Sequence, residues 1–159
     1  MQMKEITLRP LTDADVSTVK TWLYLPHVAA WYHDPEDWLQ EIESRNGAYS
    51  FLRHFIVEAA GKPIGFCQYY DYRLGGEDWH GDTDIDGAYS IDYLIGDTAY
   101  LKKGYGKAVV QALITKVRAC EDAKRIIVQP EPANDASCRT LLSCGFALDE
   151  ANGFFTMRL

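Results

Sequence analysis

No segment of the chain approaches the eighteen or so consecutive apolar residues needed to cross a bilayer. Its opening, MQMKEITLRP, alternates like a strand and lacks the apolar core of a secretory leader. A membrane partner is therefore not expected. Cysteine is sparse: Cys67, Cys120, Cys138 and Cys144 include no CxxC and no paired metal spacing. They read as reduced thiols of a cytoplasmic protein that holds no metal. His27, His33, His54 and His80 likewise show no spacing suited to a metal ion and are assigned no chemistry. Basic residues fall short of acidic ones, 16 against 23, for a formal charge of −7. That balance argues against nucleic acid, whose phosphates require a basic face. It suits a cationic small molecule, and it suits plain solubility equally. Repeats, low-complexity tracts and linkers are also missing. The 159 residues are expected to form one domain, 1–159, long enough to bury about 70% of the unfolded surface.

What is present is a regular succession of elements. Residues 4–9 read as a strand. TDADVSTVKTWL reads as a helix capped by Thr12 or Asp13, with Val16, Val19 and Leu23 on one face. PHVAAWYHD is a loop, and a second helix follows Pro35. FLRHFIVEAAGKPIGFCQYYDYR is a hairpin joined by Ala60-Gly61-Lys62-Pro63. Residues 74–88 form a polar acidic loop, and YSIDYLIG is a strand too apolar on both faces for a sheet edge. A helix to about Ala119, the strand KRIIVQP and a short helix closed by Gly145 come next. A turn at Asn152-Gly153 leads into a last strand. The order predicts an α/β fold, a mixed sheet with helices on both faces. Trp22 and Trp38 are read as core.

YLKKGYGKAVVQAL, residues 100–113, places two glycines and three lysines at the start of a helix. A helix start leaves backbone N–H groups unpaired and carries partial positive charge. Gly104 and Gly106 remove side chains that would hold a ligand off those donors, and Lys102, Lys103 and Lys107 add cationic charge. The arrangement suits an anion, above all a diphosphate over the first turn. A tight strand-to-helix connection would also explain the glycines without any ligand. The dinucleotide fingerprint is excluded by a missing third glycine, and no G-K-[ST] marks a P-loop. Further on, VQPEPANDASCRTLLSCGF joins a strand end, Asn134 at a helix start and a Gly145-Phe146 exit.

YLIGDTAYLKKGYGKAVVQAL followed by NDASCRTLLSCGF resembles the GNAT superfamily of acyl-CoA-dependent N-acetyltransferases. LRPLTDADVSTVKTWLYLPHVAAWY, GKPIGFCQYYDY and YSIDYLIG are similar to the aminoglycoside 6′-N-acetyltransferase branch, from about residue 6 to the end. The resemblance implies a GNAT-type fold: a mixed, mostly antiparallel, twisted sheet with helices on both faces. It implies acetyl-CoA as acetyl donor, no metal, and a monomer or homodimer. The acceptor would be a primary amine of a cationic small molecule, with the aminoglycoside 6′-amine leading. A GNAT enzyme for another amine (a polyamine, amino-acid derivative or protein N-terminus) and a non-catalytic acyl-CoA sensor are the rivals.

The resemblance also implies residue roles. The [QR]-x-x-G-x-[GA] window is Leu101-Lys102-Lys103-Gly104-Tyr105-Gly106, with Leu101 departing from the pattern. Backbone N–H groups of residues 102–107 would take the diphosphate, and the pantetheine arm would pair along strand 93–96. A backbone N–H near Leu94 or Ile95 would face the developing oxyanion. Asn134 would hydrogen-bond the arm, with Arg139 little more than a turn beyond. Asp92, set among Ile91, Leu94 and Ile95, is a costly place for a carboxylate without a partner or a task. It is assigned to gripping the amine and, second, to removing its proton; a structural Asp paired with an Arg or with backbone donors is the alternative. The leaving-group tyrosine of many GNAT enzymes falls on Leu141, and the role of Tyr89 stays open. Gln129 stands where the branch often has an acid, one residue before Pro130. The loop acids Glu77, Asp78, Asp82, Asp84 and Asp86, with Trp79 as a platform, would compensate, or else form a solvated loop. Trp31 and Tyr32 are expected to wall the substrate pocket.

Overall fold

The hairpin forms about its glycine. In the computed structural model, which describes residues 3–159, β2 (Arg53–Ala59) and β3 (Lys62–Asp71) pair antiparallel. Ala60 and Gly61 both take positive φ, the two-residue turn whose twist matches that of the strands. Lys62 and Pro63 thus belong to β3 and not to the turn. β1 (Thr7–Pro10) adds to the β2 edge, and β4 (Ala88–Ile95) to the other side of β3. β5 (Arg125–Val128), β6 (Ala147–Asp149) and β7 (Phe154–Arg158) complete a seven-stranded sheet in the order β1-β2-β3-β4-β5-β7-β6. β6 has only three residues, too few to show alternation, and was not expected from the sequence. β4 is central, as its two apolar faces require.

All strand pairs are antiparallel except β4 and β5. That parallel pair is in register only at Ala88↔Arg125 and Tyr89↔Ile126. From Ser90 onward the two strands diverge and leave a slot through the sheet. This slot positions everything that follows.

The first helical stretch opens as a 3-10 turn, Asp13–Asp15, and becomes α1 at Val16–Leu23. Thr12 and Asp15 form a capping box, and Arg9 holds Asp15 at 2.8 Å. The expected loop after Leu25 contains a single helical turn, α2 (Pro26–Ala29), started by a proline whose missing N–H costs nothing there. α3 (Pro35–Glu43) follows. Val19, Trp22 and Leu23 of α1 and Leu39 and Ile42 of α3 pack on Ile56, Phe66 and Leu94 of the sheet. Trp22 is core: a Cβ on Gly96 would lie 2.1 Å from its ring, so only glycine lets the indole sit there. On the opposite face α4 (Tyr105–Arg118) lays Val109, Val110, Leu113, Ile114 and Val117 on Val57, Cys67 and Ile91. α5 (Asp135–Ser143) adds Leu141, and Gly145 closes it at positive φ.

Candidate active site

Two cavities meet at the slot, one on each side of it. The first, about 460 Å³, lies between α2, the end of β4 and the starts of α4 and α5. Its floor is the glycine loop. Lys102 (φ 58°) and Gly104 (φ 88°) both adopt left-handed backbone, which turns the chain so that α4 starts with its free N–H groups toward the groove. Gly104 is dictated by its φ, but Gly106 is not: a Cβ there would meet only Tyr93, at an ordinary 3.9 Å. Packing therefore does not demand that glycine, which lines the groove. Leu101, Lys102, Tyr105 and Lys107 also line this groove. Lys103 and Arg139 do not: both are exposed and outside its lining. Asn134 caps α5 by accepting from the Ser137 N–H at 3.2 Å, which leaves its NH2 for the groove.

Along β4 the backbone alternates. Gly96 donates to Ile64 on the β3 side, while both polar backbone groups of Tyr93 engage the Tyr32 hydroxyl on the other side. His27 Nε2 lies 2.9 Å from the Ile95 carbonyl, again on that side. Odd positions therefore face the slot and even ones the β3 ladder. The Leu94 N–H is spent on β3, whereas the Ile95 N–H opens to the slot, where β5 no longer pairs. Tyr32 and His27, the latter not expected to act, hold the strand edge where an arm would pair.

The second cavity, about 370 Å³, sits beyond the slot and shares Trp31, Tyr32, Tyr93, Asn134 and Ser137 with the groove. It continues into a third space of about 380 Å³ over α3. Asp92 lines both. Burial pushes its pKa up to about 6, against the opposing pull of a 2.8 Å hydrogen bond from Gln68 Nε2, and the Glu77 charge adds to the rise. Among the described residues no arginine pairs with it. Glu41 of α3 is raised to about 7 by burial first, then by Asp92, Glu77 and Asp37. Asp34, Asp37 and Glu131 complete six carboxylates across the two spaces, and no lysine or arginine lines either among the described residues. Such a wall is complementary to a molecule with several positive charges.

Of the acidic loop only Glu77 reaches the cavity, fixed by the Tyr70 hydroxyl and by Trp79 Nε1 at 2.8 Å. Asp86 pairs with Arg73 and Lys124, and Asp82 accepts from Asn152, so those acids tie the loop down. Trp79 lines the cavity while its edge packs on Tyr72 and Phe154. Gln129 is at the rim, its Nε2 3.5 Å from the Gly153 carbonyl, and Glu131 pairs with His33 at 2.6 Å. Trp38 packs against the α1–α3 core as expected but is only half-buried: it stands edge-on to Tyr32 at 5.1 Å and also walls both spaces. Tyr89 is turned away, its hydroxyl on Asp122 at 2.7 Å. Leu141 is fully buried. Glu77 was among the loop acids expected to meet a cation, whereas Glu41 and the wall position of Trp38 have no sequence signal, because α3 reads as an ordinary amphipathic helix and only tertiary packing turns its polar edge toward Asp92.

A split β4–β5 pair with a bared helix start on one side and a half-buried carboxylate on the other suits acyl transfer, and the chain belongs to the GNAT acetyltransferase family, whose domain model matches residues 12–153. Among curated relatives it is similar to aminoglycoside N(6')-acetyltransferase type 1 of Klebsiella pneumoniae and to the protein of that name from Serratia marcescens. Each is 26% identical over 147 residues, 89% of this chain and 73% of the relative. Among solved structures it is similar to aminoglycoside acetyltransferase AAC(6')-Ib in complex with coenzyme A: 25% identity, 97% of this chain, 95% of that chain and a TM-score of 0.81. The structure of AAC(6')-Ib with ribostamycin and coenzyme A matches at 25% identity over 98% of this chain and 94% of that one, TM-score 0.81.

Proposed function

We propose that this protein transfers the acetyl group of acetyl-CoA to a primary amine of a cationic small molecule, the 6′-amine of an aminoglycoside in the leading case. The observation that carries the reading is the slot, at which a helix-start groove meets two connected spaces walled by six carboxylates, Asp92 among them. Coenzyme-bound aminoglycoside acetyltransferases among the similar structures support it.

In this reading the N–H groups opening α4 take the diphosphate, Lys102 and Lys107 add charge, and the Asn134 NH2 meets the arm. The Ile95 N–H donates to the thioester carbonyl as negative charge develops there. Asp92 draws in the ammonium group, and Glu41, Glu77 and Asp37 hold further amines. The gap between an alkylammonium near 10.4 and Asp92 near 6 is about 6 kcal/mol, instead of about 9 for an unperturbed aspartate. Burial thus narrows the proton transfer without abolishing its cost. The Tyr93 hydroxyl, 2.9 Å from Ser137 Oγ with both residues lining both cavities, is placed to protonate the departing thiolate, in place of a tyrosine at Leu141. Burial pushes its pKa up to about 12, so the phenol is protonated at neutral pH but its proton transfer to a thiolate of ordinary basicity costs about 5 kcal/mol. We place the reaction in the cytoplasm, consistent with four free thiols.

The test is thiol release from acetyl-CoA with aminoglycosides, spermidine, lysine derivatives and short peptides as acceptors. Turnover on aminoglycosides that falls about 100-fold or more in Asp92→Asn is the expected result. Turnover on another amine alone sinks the aminoglycoside assignment, and coenzyme binding with silence on every amine sinks the enzyme.

A further inference from the structure

His54, Gln68 and Asp92 are direct cross-strand partners on β2, β3 and β4. They therefore form one polar row on the sheet face that carries α1–α3. The next row on that face, Ile56–Phe66–Leu94, is wholly apolar. His54 and Gln68 are 7% and 3% exposed. Such burial of polar groups ordinarily comes with partners. Gln68 Nε2 has one in Asp92 Oδ2. Gln68 Oε1 and both ring nitrogens of His54 have none, although the two side chains stand opposite each other. The His54 ring stacks on Phe66 at 5.7 Å, which fixes its plane. Burial, and then Arg45, push its pKa down to about 4, so the ring is neutral and carries a single N–H. One donor and one acceptor thus face each other, both without another use.

We propose that His54, Gln68 and Asp92 form a cross-strand relay in which the His54 ring N–H binds Gln68 Oε1 and fixes the carboxamide with its NH2 on Asp92. A carboxamide anchored at one end cannot flip and present its oxygen to a carboxylate. His54 and Gln68 are then positioning residues for Asp92, and the inference rests on the reading of Asp92 given above. The groups facing Asp92 sharpen it. Glu77 from the loop after β3, Glu41 from α3, Tyr70 from β3 and Tyr32 from the α2–α3 loop surround it, and Asp37 of α3 lines the same space. Among the described residues Gln68 is the one side chain that hydrogen-bonds Asp92. Without an oriented Gln68, Asp92 faces only burial and like charge.

The experiment is a carboxyl NMR titration of Asp92 in the whole protein, alongside the pH profile of kcat/KM. Gln68→Met is expected to move the Asp92 midpoint up by about one unit, the weight of a hydrogen bond to a charged group. His54→Phe, which keeps the stack on Phe66, is expected to move it up by about half a unit, and His54→Leu likewise. His54→Gln, which keeps an N–H donor, should restore the wild-type midpoint. The acid limb of kcat/KM should follow in each variant. An Asp92 midpoint unchanged in both His54→Phe and His54→Leu overturns the relay, as does a His54→Gln variant no nearer wild type than His54→Phe. A purely packing role for His54 would alter melting temperature without moving the midpoint. Because the titration needs no substrate, a protein inactive on every amine would sink the proposed function and leave the relay standing or falling by itself.

Discussion

Asp92 carries a stability cost that depends on pH. Its folded pKa of about 6 lies above the ordinary 3.8, so between those values the folded state binds a proton that the unfolded chain has released. Stability from this residue is therefore present at low pH and lost as pH rises through about 6. Two units correspond to roughly 3 kcal/mol at most. Asp92→Asn should accordingly be more stable than wild type at pH 8, by up to about 3 kcal/mol, with the advantage fading toward pH 4. Urea unfolding at the two pH values reads this directly, and an Asn variant less stable at pH 8 would refute the account. The same substitution abolishes most turnover if the proposed chemistry holds, so activity and stability move in opposite directions. Asp92 was identifiable in the sequence as a carboxylate in apolar company. Its partner Gln68 and its neighbour Glu41 were not, because they lie on different elements and come together only through strand register and helix packing.

The start of α4 is the element whose chemistry is most separable from the fold. Gly104 is held by its left-handed backbone, and replacing it strains the turn. Gly106 sits in ordinary helix with room for a methyl group. Gly106→Ala should therefore raise stability, by up to about 1 kcal/mol, yet weaken coenzyme A binding about tenfold or more, since the methyl group stands over the donors. Thermal unfolding and calorimetric titration with coenzyme A test the two halves separately. Lys103→Ala and Arg139→Ala serve as controls, with coenzyme affinity expected to stay within about twofold, because neither side chain lines the groove. The loop lysines look alike in the sequence. Which of them faces the groove depends on the positive φ at Lys102, which nothing in the residue types foretells.

Over the molecule as a whole, charge and slot work together. With six carboxylates and, among the described residues, no lysine or arginine lining the two spaces beside Asp92, a polycation bound there would lower the pKa values of Asp92 and Glu41, now near 6 and 7. Binding near pH 6.5 should therefore release protons, and affinity should fall as pH drops from about 7 through about 6. Calorimetry in buffers of different ionisation enthalpy measures the release, and a pH-independent affinity would contradict it. Element order, the hairpin turn, the central place of β4 and the glycine-bared helix start were legible in the chain, because each follows from local periodicity, turn chemistry or the absence of a Cβ. The three-residue β6 and the single-turn α2 were not, being shorter than the period that would reveal them. The parting of β4 from β5 after two residue pairs also has no local signature, since a strand's composition does not record where its neighbour leaves it. Nor does composition say which backbone face of β4 opens to the gap, which is why the N–H of Ile95 and not of Leu94 is the one available. Local order is written residue by residue, whereas the slot, the ring of carboxylates and the His54–Gln68–Asp92 row exist only once distant strands and helices share a face.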